Sequence, residues 1–233
     1  MVDGAQGGLE AGGDVLQLFG EIAVGGHVTL LGGGGTVSDT IFLSNGSVAV
    51  GTGSSLLAMG GAGDDELDLF ADIGIQGDVT AFGGQGDDDI TFGGTVALGS
   101  GADVTVAGDS GEDLLGGGAL GGEGRVTLLG GSGDDALFSS SVAALGGASE
   151  VWLLGGAGDG RLALESLGSS RFGVLGKASF LGGDGADLVT ANGNTTLAAG
   201  SGSNALLDLG ADDDVLQMVG FGGMIGGSGA ATV

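Results

Sequence analysis

The sequence predicts an all-β fold: a parallel β-solenoid (a β-roll or β-helix) of about nine coils, right-handed and without helical caps. Three observations carry this. A glycine–acid–aliphatic unit recurs at nearly constant spacing, short apolar runs alternate with period 2, and glycine fills 60 of 233 positions with no proline. Self-similarity at a period of this size marks a repeat architecture, in which each unit buries its apolar face only against its neighbours.

The unit is clearest at Gly130-Gly131-Ser132-Gly133-Asp134-Asp135-Ala136-Leu137. Aligned on the acid two places before the aliphatic residue, the copies fall at Asp14, Asp39, Asp65, Asp88, Asp113, Asp135, Gly160, Asp187 and Asp214, at spacings of 22 to 27 residues. Only Gly160 departs from Asp, and Asp159 stands one place before it. The aliphatic place holds Leu16, Ile41, Leu67, Ile90, Leu115, Leu137, Leu162, Val189 and Leu216. Small drifts in spacing fit loop insertions on a stacked coil.

Between the acidic turns lie two or three short strands per coil. In Val126-Thr127-Leu128, apolar residues flank an outward Thr, the period of a strand with one buried face. The same phase recurs at Val28-Thr29-Leu30-Leu31, Val79-Thr80-Ala81-Phe82 and Val104-Thr105-Val106. Helices are disfavoured because each interior Gly costs about 1 kcal/mol relative to Ala. Parallel crossovers wind right-handed by default, and nine coils about 4.8 Å apart make a rod of roughly 43 Å. A second turn, such as Ala97-Leu98-Gly99 or Ala144-Leu145-Gly146-Gly147, is small and mostly uncharged. Acid is therefore concentrated along one corner of the rod.

Composition bounds the function. The repeat covers about residues 9–226, so residues 1–233 read as a single solenoid domain. Collagen is excluded by the missing G-X-Y period and missing proline. Aliphatics at fixed phase argue against disorder. Thirty acidic residues against four basic ones give a net charge of −26, which excludes nucleic-acid binding through a basic patch and disfavours anionic membranes. No apolar run approaches the ~20 residues of a membrane span, so no membrane insertion is expected. There is no Cys, hence no disulfide or thiolate metal site. The segment Met1-Val2-Asp3-Gly4-Ala5-Gln6 lacks the features of a signal peptide. The expectation is a cytoplasmic chain, a fragment, or export by a route that does not read the N-terminus.

Stacking sets the acids against one another. Unit charges about 4.8 Å apart repel by roughly 3.5 kcal/mol at an effective dielectric of 20, and the sum along a column rivals a typical domain stability. A cation is required. Ca²⁺ fits, because it takes six to eight hard oxygens in flexible geometry. Zinc and copper favour Cys and His, and this chain has no Cys and one His. The candidate ligands are Asp14, Asp39, Asp64, Asp65, Asp87, Asp88, Asp113, Asp134, Asp135, Asp187, Asp213 and Asp214. The turn glycines Gly61, Gly63, Gly84, Gly86, Gly131, Gly133, Gly183 and Gly185 would present main-chain carbonyls. Several ions, up to about eight, could lie in the gaps between coils.

The pattern G-G-x-G-x-D-x-aliphatic resembles the nonapeptide of RTX (hemolysin-type) proteins, the calcium-binding parallel β-roll. The matches are Gly60 to Leu67, Gly83 to Ile90, Gly130 to Leu137 and Gly182 to Val189. The resemblance implies that the sixth-place Asp supplies a carboxylate and the Gly carbonyls the remaining oxygens. It also implies type I-like secretion and folding on meeting external calcium. Tandem nonapeptide rolls carry calcium turns on both sides of each coil, whereas this chain has one such turn per coil of about 25 residues. Departures occur at Leu9-Glu10-Ala11-Gly12-Gly13-Asp14, at Gly34-Gly35-Thr36-Val37-Ser38-Asp39, at Gly160, and at Leu209 to Asp214.

An enzyme is not expected. His27 is the sole His and has no Ser or Cys partner of triad character. The chain also lacks the aromatic and basic residues of a sugar-binding groove. Trp152 occupies the place of the outward Thr127 and lies flat on a sheet or makes a lateral contact between rods. Arg161, Arg171 and Lys177 gather in the coil that lacks the key Asp. Unpaired coil ends invite another chain, and contact between unlike ends gives a filament. The expected function is an extracellular or cell-surface calcium-binding structural protein whose partner is itself, stacked end to end into a filament, surface layer or matrix. The alternative is the calcium-binding repeat section of an adhesin or of a type I-secreted enzyme.

Overall fold

The computed structural model describes residues 6–7, 13–33, 35–44, 47–69, 72–145, 150–165, 172–173, 177–192, 195–196, 204–219 and 230–232. Among them every regular element is a β-strand, and every strand pair is parallel. Successive coils contribute one strand to a ten-stranded sheet and one, often bent, to a twelve-stranded sheet. The chain is a parallel β-solenoid.

The first sheet is the more regular. Ser55–Ala62, Asp78–Gln85, Asp103–Ser110, Arg125–Ser132, Glu150–Ala157, Lys177–Asp184 and Asn204–Ala211 stack in one unchanging register. This regular stack makes about six turns, fewer than the nine coils the acidic repeat predicts. Beyond it the ladder shortens, to five residue pairs between His27–Leu31 and Ser55–Ala62 and two between Gln6–Gly7 and His27–Leu31. Part of the reason lies in the turn before Asp39. Gly32 and Gly33 bond to Met59 and Gly60 of the next coil, so they occupy the places of Gly60 and Gly61. Five residues lie between Gly33 and Asp39, against three between Gly61 and Asp65. The glycine pair of this copy is therefore Gly32-Gly33, not Gly34-Gly35.

The strands of the second sheet begin just after each acidic turn. They run straight for a few residues and then bend. Between Asp89–Leu98 and Leu114–Gly122 the register shifts between Phe92 and Thr95. The bend needs glycine: Gly116 and Gly117 have φ of 139° and 120°, and an added Cβ would fall on the Phe138 and Phe92 carbonyls of the adjacent coils.

The core follows from period 2. Val79, Ala81, Val104, Val106, Val126 and Leu128 of the first sheet meet Ile90, Phe92, Leu115 and Leu137 of the second, all at most 3% exposed. Each buried rung rests on equivalent rungs above and below, which ties coil stability to neighbours. Among the described residues no helix is long and apolar enough to cross a membrane.

Candidate metal centre

The repeat places two acids side by side in each turn, and the turn sends them to different surroundings. Asp39, Asp65, Asp88, Asp113, Asp135 and Asp187 point inward and are only 1–2% exposed. Asp64, Asp87 and Asp134 point outward and are exposed. The two form parallel columns along the same corner.

In the inner column each Oδ1 accepts a backbone N–H from the equivalent residue one coil earlier. Asp65 accepts from Asp39 (2.7 Å), Asp88 from Asp65 (2.8 Å), Asp113 from Asp88 (2.8 Å) and Asp135 from Asp113 (2.9 Å). The series starts with Asp14 donating to Asp39 at 2.8 Å and ends with Asp187 donating to Asp214 at 3.0 Å. The expected inner candidates are thus in one file. Asp214, at its far end, is half-buried and Asp213 exposed.

The other oxygen explains the glycines. Oδ2 of each inner carboxylate faces the first Gly of its own turn, and an added Cβ at Gly60, Gly83, Gly108, Gly130 or Gly182 would fall on it. The second and third glycines serve the stacking. Gly61, Gly84, Gly131 and Gly183 have φ of 125° to 130°, and Gly63, Gly86, Gly133 and Gly185 of 120° to 133°, a region L side chains avoid. At Gly84 and Gly86 a Cβ would fall on the carbonyls of Gly61 and Gly63 in the coil before. Two acids take such places. Asp109, at φ 77°, pairs with Gly84 and Gly131, and Asp212, at φ 87°, stands where the third glycine would.

The outer column runs the other way. Asp64 Oδ1 accepts the N–H of Asp87 (3.0 Å), Asp87 that of Glu112 (2.8 Å), Asp134 that of Asp159 (2.8 Å) and Asp159 that of Ala186 (2.9 Å). These carboxylates keep their remaining valence in water.

Inner carboxylates cannot. Oδ2 of Asp14, Asp65, Asp88, Asp113, Asp135 and Asp187 is buried without a hydrogen-bond partner. A buried, unpaired carboxylate oxygen is costly. Burial, with the neighbouring acids adding to it, pushes the Asp88 carboxyl up to about 7, and burial likewise raises Asp135 to about 6. Asp65, Asp113 and Asp187 are raised in the same sense, burial again first.

Orphaned, stacked carboxylate oxygens in a turn rich in main-chain carbonyls suit a hard cation. Among the described residues no three carboxylate or imidazole groups gather where they could hold one ion. A bound ion would draw on one or two inner carboxylates and complete its shell from carbonyls such as those of Gly61, Gly63, Gly84 and Gly86. The outer Asp64, Asp87 and Asp134, predicted as ligands alongside the inner acids, lie in the separate exposed column.

At Gly160 the inner column is interrupted. Gly160 still donates its N–H to Asp187 Oδ1 (2.8 Å), but it contributes no carboxylate. Among the described residues, two basic residues of that region lie on strands of different sheets. Arg161 stands exposed in the second sheet beside Ala136 and Leu188, whereas Lys177 pairs with Glu150 and Asn204 in the first. Arg171 lies outside the described residues.

His27 is exposed, with Nδ1 2.7 Å from Ser55 Oγ. Asp68, which the motif does not mark, is also buried at 3% exposure. Burial, then Glu66 and Asp89, raises its carboxyl to about 6. Its only sequence signal is an acid at a strand place paired with Thr91.

No family model matches the chain, and neither a curated protein nor a solved structure matches it.

Proposed function

We propose that the chain is a calcium-set structural protein: an extracellular solenoid whose inner Asp column takes up several Ca²⁺ ions and which then stacks end to end into a filament, layer or matrix. The observation that carries this is the file of buried carboxylates, each with one oxygen hydrogen-bonded to the coil before and the other without a partner. Such a file asks for positive charge wherever it carries a carboxylate, and a divalent cation supplies it without long side chains. Calcium outside the cell is abundant, so folding and assembly would follow export by a type I-like route.

End-to-end stacking draws support from the constant parallel register, which one coil can offer another. The core is less covered at the low-numbered end, where the inward Leu16, Leu18 and Ile22 are only half-buried. Nearby, a cavity of about 120 Å³ is lined by Leu16, Leu18, Ile22 and Leu43. The reading is tested by circular dichroism and electron microscopy in calcium and in chelator. It expects a β-rich, assembling protein in calcium and an unfolded or unassembled one in chelator. A folded monomer under both conditions would reject it.

A further inference from the structure

The outward face of the first sheet is not the polar face that a Thr-bearing strand suggests. Each strand runs on past the Val-Thr-Leu segment, and the first residue after it is a second outward residue on the face. Met59, Phe82, Ala107, Leu129, Leu154 and Leu181 form that file, each directly opposite the next. Phe82, Leu129, Leu154 and Leu181 are half-buried, Met59 is 37% exposed, and Ala107 is buried between its larger neighbours. Beside it runs the file Leu57, Thr80, Thr105, Thr127, Trp152 and Ser179, small at four of its six places, with Trp152 half-buried. Within these two files, from Met59 to Leu181, there is no charged residue, in a chain of net charge −26. Charges return at the edge, where Arg125 lies between Asp103 (3.9 Å) and Glu150 (3.2 Å), and in the first file itself one strand beyond Leu181, at Asp208.

We infer that this face is a lateral interface and that its occupant is a second copy of the chain, packed face to face with the two rods parallel. An apolar strip rimmed by charge marks an interaction surface. Three features select a second copy. At the levels of Phe82, Leu129 and Leu181 a large side chain stands beside a small one, Thr80, Thr127 and Ser179, so ridge and furrow lie side by side there. A copy turned about an axis along the rod sets its ridge into this furrow at those levels, which a partner of different rise cannot do. That same rotation places the two acidic corners at opposite edges of the pair, whereas antiparallel rods would set them side by side and in repulsion. The strip is about 30–35 Å long and about 15 Å wide, so pairing covers on the order of 500 Å² per copy, or about 1,000 Å² in total, the lower bound for a specific contact. Facing sheets pack about 10 Å apart, close enough for Trp152 to rest against Leu154 of the other copy.

Sedimentation equilibrium, run only under conditions where circular dichroism shows the β-fold, separates this inference from the calcium reading. The wild-type chain is expected to form a dimer. Leu129→Lys and Leu154→Lys are each expected to weaken it about thirtyfold or more, the loss typical of a central interface residue, although both relieve net negative charge. Val37→Lys, which alters an exposed apolar residue away from the face, keeps the fold and the dimer. Geometry is read with single cysteines, since the chain has none: Met59→Cys and Leu181→Cys are each bridged to themselves by a short bis-maleimide if the rods are parallel. Bridging only between the two variants in a mixture means antiparallel rods and overturns the arrangement. A folded wild-type chain that stays monomeric, a dimer indifferent to both lysines, or capture by phospholipid vesicles in place of self-association overturns the inference.

Discussion

Asp87 and Asp88 are neighbours in sequence and opposites in setting. Both accept a backbone N–H from an adjacent coil, Asp87 from the coil after and Asp88 from the coil before. Asp87 leaves its charge in water. Asp88 carries its charge to the wall of the core with one oxygen unpaired. One place of register therefore decides whether stacked acids are a solvated trim or buried groups whose charge is costly. The same contrast separates Asp134 from Asp135 and Asp64 from Asp65.

The largest test of this contrast is a pair of truncations in calcium. Asp88→Ala strands the Asp65 N–H and removes an inner carboxylate, so urea unfolding should show a loss of about 3 kcal/mol or more. Asp87→Ala removes a solvent-exposed bond and should shift the midpoint far less. Equal losses would erase the distinction between the columns. Asp88→Asn sharpens it: the amide oxygen can still accept the Asp65 N–H while the charge is gone. In chelator this variant should match or exceed the wild type, and in calcium it should fall below it.

Acid offers a second discriminator, through its sign. A carboxyl whose folded pKa is raised gives its full contribution below its unfolded pKa and loses it as pH rises through the folded value. For Asp88, raised from 3.8 to about 7, and Asp135, raised from 3.8 to about 6, the window runs from about pH 4 to about pH 7. The metal-free chain should therefore melt at a higher temperature as pH falls through that window. With calcium bound the slope should reverse, because the ligands must be deprotonated to hold the ion. Parallel slopes in calcium and chelator would mean that no ion reaches the inner column.

A smaller effect is expected at Asp109, an acid held at φ 77° where the stacked turns carry glycine. Asp109→Gly relieves the left-handed conformation and one negative charge, and should stabilise by about 1 kcal/mol in thermal unfolding. A loss of stability would give the Asp109 side chain a role that the stacking does not.

Much of this was legible in the sequence. The spacing of Asp39, Asp65, Asp88, Asp113 and Asp135 marks the inner file, because equal places in a repeat stack in space. The all-β parallel fold follows from the same period and from the alternation of Val126, Thr127 and Leu128. Residue type could not separate the two columns, since both are Asp. Their separation comes from positive-φ glycines that aim adjacent side chains to opposite sides of the turn. The pairing of Gly32-Gly33 with the next coil was hidden by Gly34-Gly35, a second glycine pair nearer the motif's spacing. The strand itself continues to Ser132, past the glycines that read as its end. Gly130 can belong to the strand because its missing Cβ leaves room for the Asp135 carboxylate.

The central claim, that the inner Asp column is completed by a cation, is tested most directly by equilibrium dialysis against calcium with thermal melting of the same samples. The account predicts several bound ions, up to about eight, and a melting temperature that rises with calcium. No bound calcium, together with identical melting in calcium and chelator, would contradict it.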